Sequence, residues 1–274
     1  MPDRPDWPIV PLNGDKPNVV STDIVTLWVG PALGPIERAC LRSVVRQGHR
    51  LALYCYAEPA GVPHGVEVRD AADILPEEAT SAPWVARADL YSDWFRYELL
   101  SRGLGTWVDT DIYLVRPLEQ ERSMLFGRQA PDMLNNAVLR LRPDNPMLPR
   151  LLEPFRSRTT PSWLPLRAYL PSRLREFLHG AADLTRVPWG STSPLALTAV
   201  AGSFGLTAEA QPEDVFYPVP WQHADWIRDP RLRLDDVVTP NTCAIHLWNE
   251  CIKGFKHEPA PSGSFLSRLQ EEGN

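Results

Sequence analysis

Two short apolar runs, residues 23–30 (DIVTLWVG) and 50–57 (RLALYCYA), flank a single helical stripe over 35–48. In that stripe Ile36, Cys40 and Val44 recur at four-residue spacing, and Leu41 and Val45 widen it. The spacing puts these side chains on one helix face, and Gly48 stands where a C-cap glycine belongs. A third short run follows at 66–69. Strand, helix and strand in this order predict a βαβ unit, a parallel sheet and an α/β fold.

A longer stripe over 82–102 carries Trp84, Ala88, Tyr91, Phe95 and Leu99, and ends at Gly103 and Gly105. Residues 106–114 (TWVDTDIYL) then read as one strand interrupted by two aspartates, and 135–141 as another. Past Pro143 the pattern weakens. Helices are expected at 166–178 and 194–201, and a last strand at 244–248. No repeat or long linker divides the chain, so 19–274 is expected to be one domain behind a flexible lead-in at 1–18.

The net charge is −6 with no basic block, which gives no electrostatic ground for a nucleic-acid partner. An anionic ligand would therefore need positive charge supplied at its site. The 29 prolines are scattered and read as loop punctuation. Trp7, Trp189 and Trp221 fall in expected loops, where rings stack on sugars or bases unless they are simply core. Cys40, Cys55, Cys243 and Cys251 show no metal spacing and read as reduced thiols. Residues 1–17 contain no apolar signal core, and no run reaches the ~18–20 apolar residues of a membrane span. The expectation is a cytoplasmic protein without a transmembrane segment, any membrane contact being peripheral.

The chemistry centres on Asp109 and Asp111. On an extended segment, residues two apart point the same way, with Trp107 on the same face and Val108 toward the core. Carboxylates at the end of a buried strand are costly unless paired. A hard divalent cation, Mn²⁺ or Mg²⁺, is a fitting partner, because it binds carboxylates and substrate phosphates together. Taken alone, the triplet reads more readily as two turn aspartates than as a metal grip. On the preceding helix, Asp93 and Arg96 are three apart, off the apolar stripe, and read in isolation as a local surface ion pair.

Taken together, residues 91–118 (YSDWFRYELLSRGLGTWVDTDIYLVRPL) resemble the DxD sugar-binding region of several glycosyltransferase families. These are the bacterial capsule-type and α-1,4-galactosyltransferase-like group, the yeast mannosyltransferase relatives and, more remotely, the glucosylating clostridial toxins. The resemblance rests on Ser92, Asp93, Arg96, Tyr97, Gly103, Trp107, Asp109 and Asp111. Gly103-Leu104-Gly105 replaces the usual adjacent glycines, and Trp107 stands where Tyr is commoner. Fainter likenesses lie at residues 27–30, 135–137 and 244–249.

The resemblance implies a GT-A fold, with a Rossmann-like, mainly parallel mixed sheet flanked by helices and a less regular C-terminal acceptor side. It implies transfer of a sugar from a nucleotide-sugar, UDP-linked by expectation, to a saccharide or glycoconjugate acceptor with retained configuration. In that scheme Asp111 is the metal ligand, and Asp109 serves ribose, sugar or metal. Asp93 and Arg96 hold sugar hydroxyls, Asn135 or Asn136 touches the donor sugar, Trp28 lies against the base, and Trp107 is an aromatic platform.

His246 is a candidate third metal ligand or a core histidine. Lys253 and Lys256 are solvated lysines or diphosphate neutralisers. Residues 188–194 (PWGSTSP) bind ligand or start a helix, and 216–221 (FYPVPW) are expected to wall the pocket. No GxGxxG, nucleophile elbow or HExxH is present. The rival readings are a non-catalytic nucleotide-sugar or glycan-binding protein and a metal-dependent nucleotidyltransferase.

Overall fold

The computed structural model describes residues 23–76 and 87–274. The expected lead-in at 1–18, Trp7, and the start of the second helix with Trp84 lie outside the described residues. The larger sheet is built from β1 (Asp23–Leu27), β2 (Arg50–Cys55), β3 (Val66–Asp70), β4 (Thr106–Val108), β6 (Leu125–Ala130) and β7 (Met133–Arg140). Its order is β3-β2-β1-β4-β7-β6, with β3, β2, β1 and β4 parallel and the last two strands antiparallel. This is the mainly parallel mixed sheet that the resemblance implies, built on the parallel βαβ unit that the spacing predicts. A second, two-stranded sheet pairs β5 (Ile112–Leu114) with β8 (Ala244–His246).

The described helices of eight residues or more are α1 (Pro35–Arg46), α2 (Ala88–Ser101), α3 (Met147–Arg156), α4 (Leu166–His179) and α5 (Pro194–Ser203), with α9 at the C-terminus (Phe265–Gly273). Single turns α6 (Glu213–Phe216), α7 (Leu234–Val237) and α8 (Asn249–Ile252) lie between α5 and α9.

Side chains alternate across each strand, so the large sheet buries both faces. Ile24, Leu53, Val108 and Val138 join one core with Ile36 and Cys40 of α1 and Leu266 and Leu269 of α9. Val25, Tyr54, Trp107 and Leu139 join the other with Phe95 of α2, Leu151 of α3 and Leu197 of α5. Pro35 fits the first turn of α1, where its missing N–H is not needed. At the end of α2, Gly103 takes φ 70° and Gly105 φ 142°. Both values favour glycine, and they turn the chain from helix into β4.

β1 has β2 on one side and β4 on the other, so the chain order reverses between β1 and β4. In open α/β sheets, ligands bind beyond the carboxyl ends of the strands at such a reversal. Trp28 follows β1 there, and Asp109 follows β4.

Residues 106–114 are not one strand. The Asp109 amide donates to the Ala137 carbonyl at 2.8 Å, and the Ile112 amide donates to the Asp109 carbonyl at 3.1 Å. That closes a turn and sends the chain from the large sheet into the small one. The sequence pattern does not predict β6, α3 or α9. The two expected C-terminal helices are α4 and α5.

Candidate metal centre

The turn between β4 and β5 carries Asp109 and Asp111, and β8 lies opposite it with Ile112 in register with His246. One ligating atom from each of Asp109, Asp111 and His246 lies within 4.8 Å of the other two. The carboxylates therefore converge through a turn and not through strand alternation. His246 Nε2 is 3.2 Å from Asp111 Oδ2, while its Nδ1 is buried with no partner. The Leu247 amide donates to the Asp111 carbonyl at 3.0 Å, and the Asn249 amide donates to Asp111 Oδ2 at 2.8 Å.

Trp248 makes this second clasp possible. It takes φ 56°, uncommon for a bulky residue and costing on the order of 1–3 kcal/mol. Its indole N–H donates to the Val219 carbonyl at 2.8 Å, and its ring lies 4.0 Å from the His246 ring. The Tyr217 ring packs 5.7 Å from His246, so Tyr217 of the 216–221 segment lies against this site.

Behind Asp109 is a buried polar layer. Arg96 donates to Asp109 Oδ1 at 2.9 Å and to the Asn136 carbonyl at 2.6 Å. The Trp107 indole donates to the same Oδ1 at 2.6 Å, and Arg96 lies 4.8 Å over the Trp107 ring. Both donors take Oδ1, so Oδ2 is left to the cluster. Asp93 Oδ1 accepts from Asn136 at 3.0 Å, and Oδ2 accepts from Thr192 Oγ1 at 2.6 Å. The Tyr97 hydroxyl donates to the Thr192 carbonyl at 2.7 Å, tying the 188–194 loop to α2.

Several expectations are corrected by this geometry. Asp93 and Arg96 are not a surface pair: they are 2% and 4% exposed, and Arg96 Nε stands 3.8 Å from Asp93 Oδ1. α2 is buried nearly all round, so positions off its apolar stripe are covered too. Trp107 is 1% exposed, so it offers no face to a ligand and instead holds Asp109. Asn135 and Asn136 are buried and bonded internally; Asn135 donates to Gln129 at 2.5 Å and accepts from the Ala137 amide. Trp28 is half-buried beyond β1, and its indole nitrogen is buried without a partner. Lys253 is exposed and paired with Glu250. Lys256 is buried, donating at 2.5 Å to both Glu37 and Asn249, which rules out a solvated lysine. Thr192 and Asn249 fall in segments that the sequence singles out, 188–194 and 244–249, but their bonds to Asp93 and Asp111 do not show there, and Glu37 carries no sequence signal, because each matters through a partner distant in sequence.

The electrostatics are unequal across the pair. Burial raises the Asp109 carboxyl above its usual range, with Arg96 pulling down and Asp111 adding to the rise. Burial also opposes the Asp111 charge, but His246 and the Asn249 amide outweigh it and hold that carboxyl low. Two carboxylates under 5 Å apart repel by roughly 3–4 kcal/mol at an effective dielectric of 20. Arg96 offsets this on one side only. Two hard oxygens and one imidazole nitrogen suit a divalent ion such as Mn²⁺ or Mg²⁺.

No protein-family model matches the chain, and neither does any curated protein. Solved structures similar to it include two glycosyltransferases. One is the PaToxG glycosyltransferase, at 11% identity, covering 69% of this chain and 72% of that one with a TM-score of 0.43. The other is the UDP-bound glycosyltransferase domain from the YGT toxin, at 12% identity, covering 85% and 77% with a TM-score of 0.39. Likenesses this distant transfer no function, so the chemistry stands on the residues above.

Proposed function

We propose that this protein is a divalent-metal-dependent glycosyltransferase of the GT-A type that moves a sugar from a nucleotide-sugar, UDP-linked, to a saccharide or glycoconjugate acceptor. The observation that carries this reading is the convergence of Asp109, Asp111 and His246 at the reversal between β1 and β4. A bound Mn²⁺ or Mg²⁺ supplies the positive charge that a net-negative chain lacks, and stabilises the charge developing on the leaving diphosphate.

Asp111 is the principal ligand, because its charge is held low and its carboxylate is clamped by the Asn249 amide. Asp109 Oδ2 and His246 Nε2 complete the protein's share. Trp28, beyond the neighbouring parallel strand, stacks on the base. Arg96, Trp107, Asp93 and Asn136 position Asp109 from behind. Asn135, on the same strand as Asn136, is bonded to Gln129 and the Ala137 amide and braces that strand.

The test is a panel of nucleotide-sugars incubated with Mn²⁺, with product analysis. Slow release of free sugar and nucleoside diphosphate is expected, falling roughly a thousandfold in Asp111→Asn. Release of pyrophosphate or sugar phosphate would assign a nucleotidyltransferase instead. Donor binding with no turnover on any acceptor would leave only a binding protein.

A further inference from the structure

α4 is built inside out. A turn of ~100° per residue places Leu166, Leu170, Leu174, Phe177 and Leu178 within an arc of about 120°. That arc faces solvent: Leu166 is 68% exposed, Leu174 60% and Phe177 85%. The side against the protein carries Ala168, Tyr169 and Ser172. A helix stabilised only by the core beneath it would show the opposite arrangement.

The charge around the stripe is also reversed relative to the chain. Arg167 falls within the arc near Leu178, and Arg173, paired with Glu176, borders its other side. At the helix's C-terminal end, Arg158, Arg175, His179 and Arg186 line a shallow hollow with Asp183. Five arginines thus gather about this one helix, opposed by Glu176 and Asp183, in a chain of net charge −6.

An exposed Leu/Phe stripe flanked by arginines is the pattern of a helix lying in the plane of a lipid interface. We infer that α4 docks the protein onto membranes containing anionic phospholipid. Leu170, Leu174 and Phe177 enter the acyl boundary, and Arg167, Arg175 and Arg186 meet the phosphates. The acidic remainder of the chain is repelled by the same surface, which fixes the face presented to it. A protein partner would satisfy the stripe, but the local charge reversal favours a surface that is itself anionic. The inference does not depend on the metal centre.

The test is flotation of the full chain with vesicles of phosphatidylcholine alone, and with vesicles containing about 30 mol% phosphatidylserine. Binding to the anionic vesicles is expected, with little to the neutral ones, and it should weaken as salt rises. Leu174→Glu/Phe177→Glu should lose binding with an unchanged melting temperature, since neither side chain reaches the core. Arg167→Gln/Arg175→Gln should bind about 25-fold more weakly, at about fivefold per charge. Absence of vesicle binding, equal binding to both vesicles, or unchanged binding by the glutamate variant would overturn the proposal. So would a dimer in sedimentation velocity that Phe177→Glu dissolves while wild type ignores vesicles.

Discussion

α2 and α4 are each 14 residues long, and they break the burial rule in opposite directions. α2 buries Asp93, Arg96 and Glu98, while α4 exposes four leucines and a phenylalanine. Neither arrangement is what stability alone would select. Buried charge is tolerated in α2 because each group is paired: Arg96 with Asp109, Asp93 with Asn136 and Thr192, and Glu98 with Arg156 at 2.6 Å. Exposed apolar surface is tolerated in α4 because a surface residue adds little to unfolding. The contrast teaches that α2 is bound into the fold, whereas α4 is largely independent of it.

Unfolding free energies from urea titration test this contrast. The largest effect should come from Arg96→Ala, which leaves Asp109 and the Asn136 carbonyl without their donor. A loss of about 3–5 kcal/mol is expected. Asp93→Asn comes next and is read through pH. Burial raises the Asp93 carboxyl from 3.8 to about 6. The folded state therefore holds this proton more tightly than the unfolded chain does. The group's stabilising contribution is full below about pH 4 and lost as pH rises through about 6. Relative to Asp93→Asn, wild type should lose roughly 3 kcal/mol across that window. A difference that stays flat with pH would mean that Asp93 is not held as described.

Trp107→Phe removes one donor to Asp109 while keeping an apolar ring, and should cost about 2 kcal/mol. Leu170→Glu on α4 should change stability by no more than about 0.5 kcal/mol. If Leu170→Glu proves as costly as Arg96→Ala, the two helices do not differ as claimed.

The same contrast explains what the sequence reveals and what it hides. α1 and its flanking strands are legible because their apolar periodicity is uninterrupted and Gly48 marks the end. α3 is hidden because Pro149 and Pro154 break a stripe that Leu148, Leu151 and Phe155 nevertheless complete. α9 is only nine residues long, announced by little more than Ser264 capping the Ser267 amide. At the site, Asp109, Asp111 and His246 are each legible as candidate cation ligands, but spacing alone does not bring β8 to β5. The turn at Asp109–Ile112 is missed because TWVDTDIYL has the composition of one continuous strand. Burial of Lys256 and Arg96 is missed because partners such as Glu37 and Asn136 lie 219 and 40 residues away, and that of Trp107 because its packing partners come from other elements although its bond to Asp109 is local.

The central claim is that Asp109, Asp111 and His246 form one cation site. Isothermal titration of MnCl₂ into the protein, with and without UDP, tests it most directly. Wild type should bind Mn²⁺, more tightly with the nucleotide present. Asp111→Asn keeps the acceptor for the Asn249 amide, so it should fold normally and lose that binding. Unchanged Mn²⁺ affinity in folded Asp111→Asn would contradict the account.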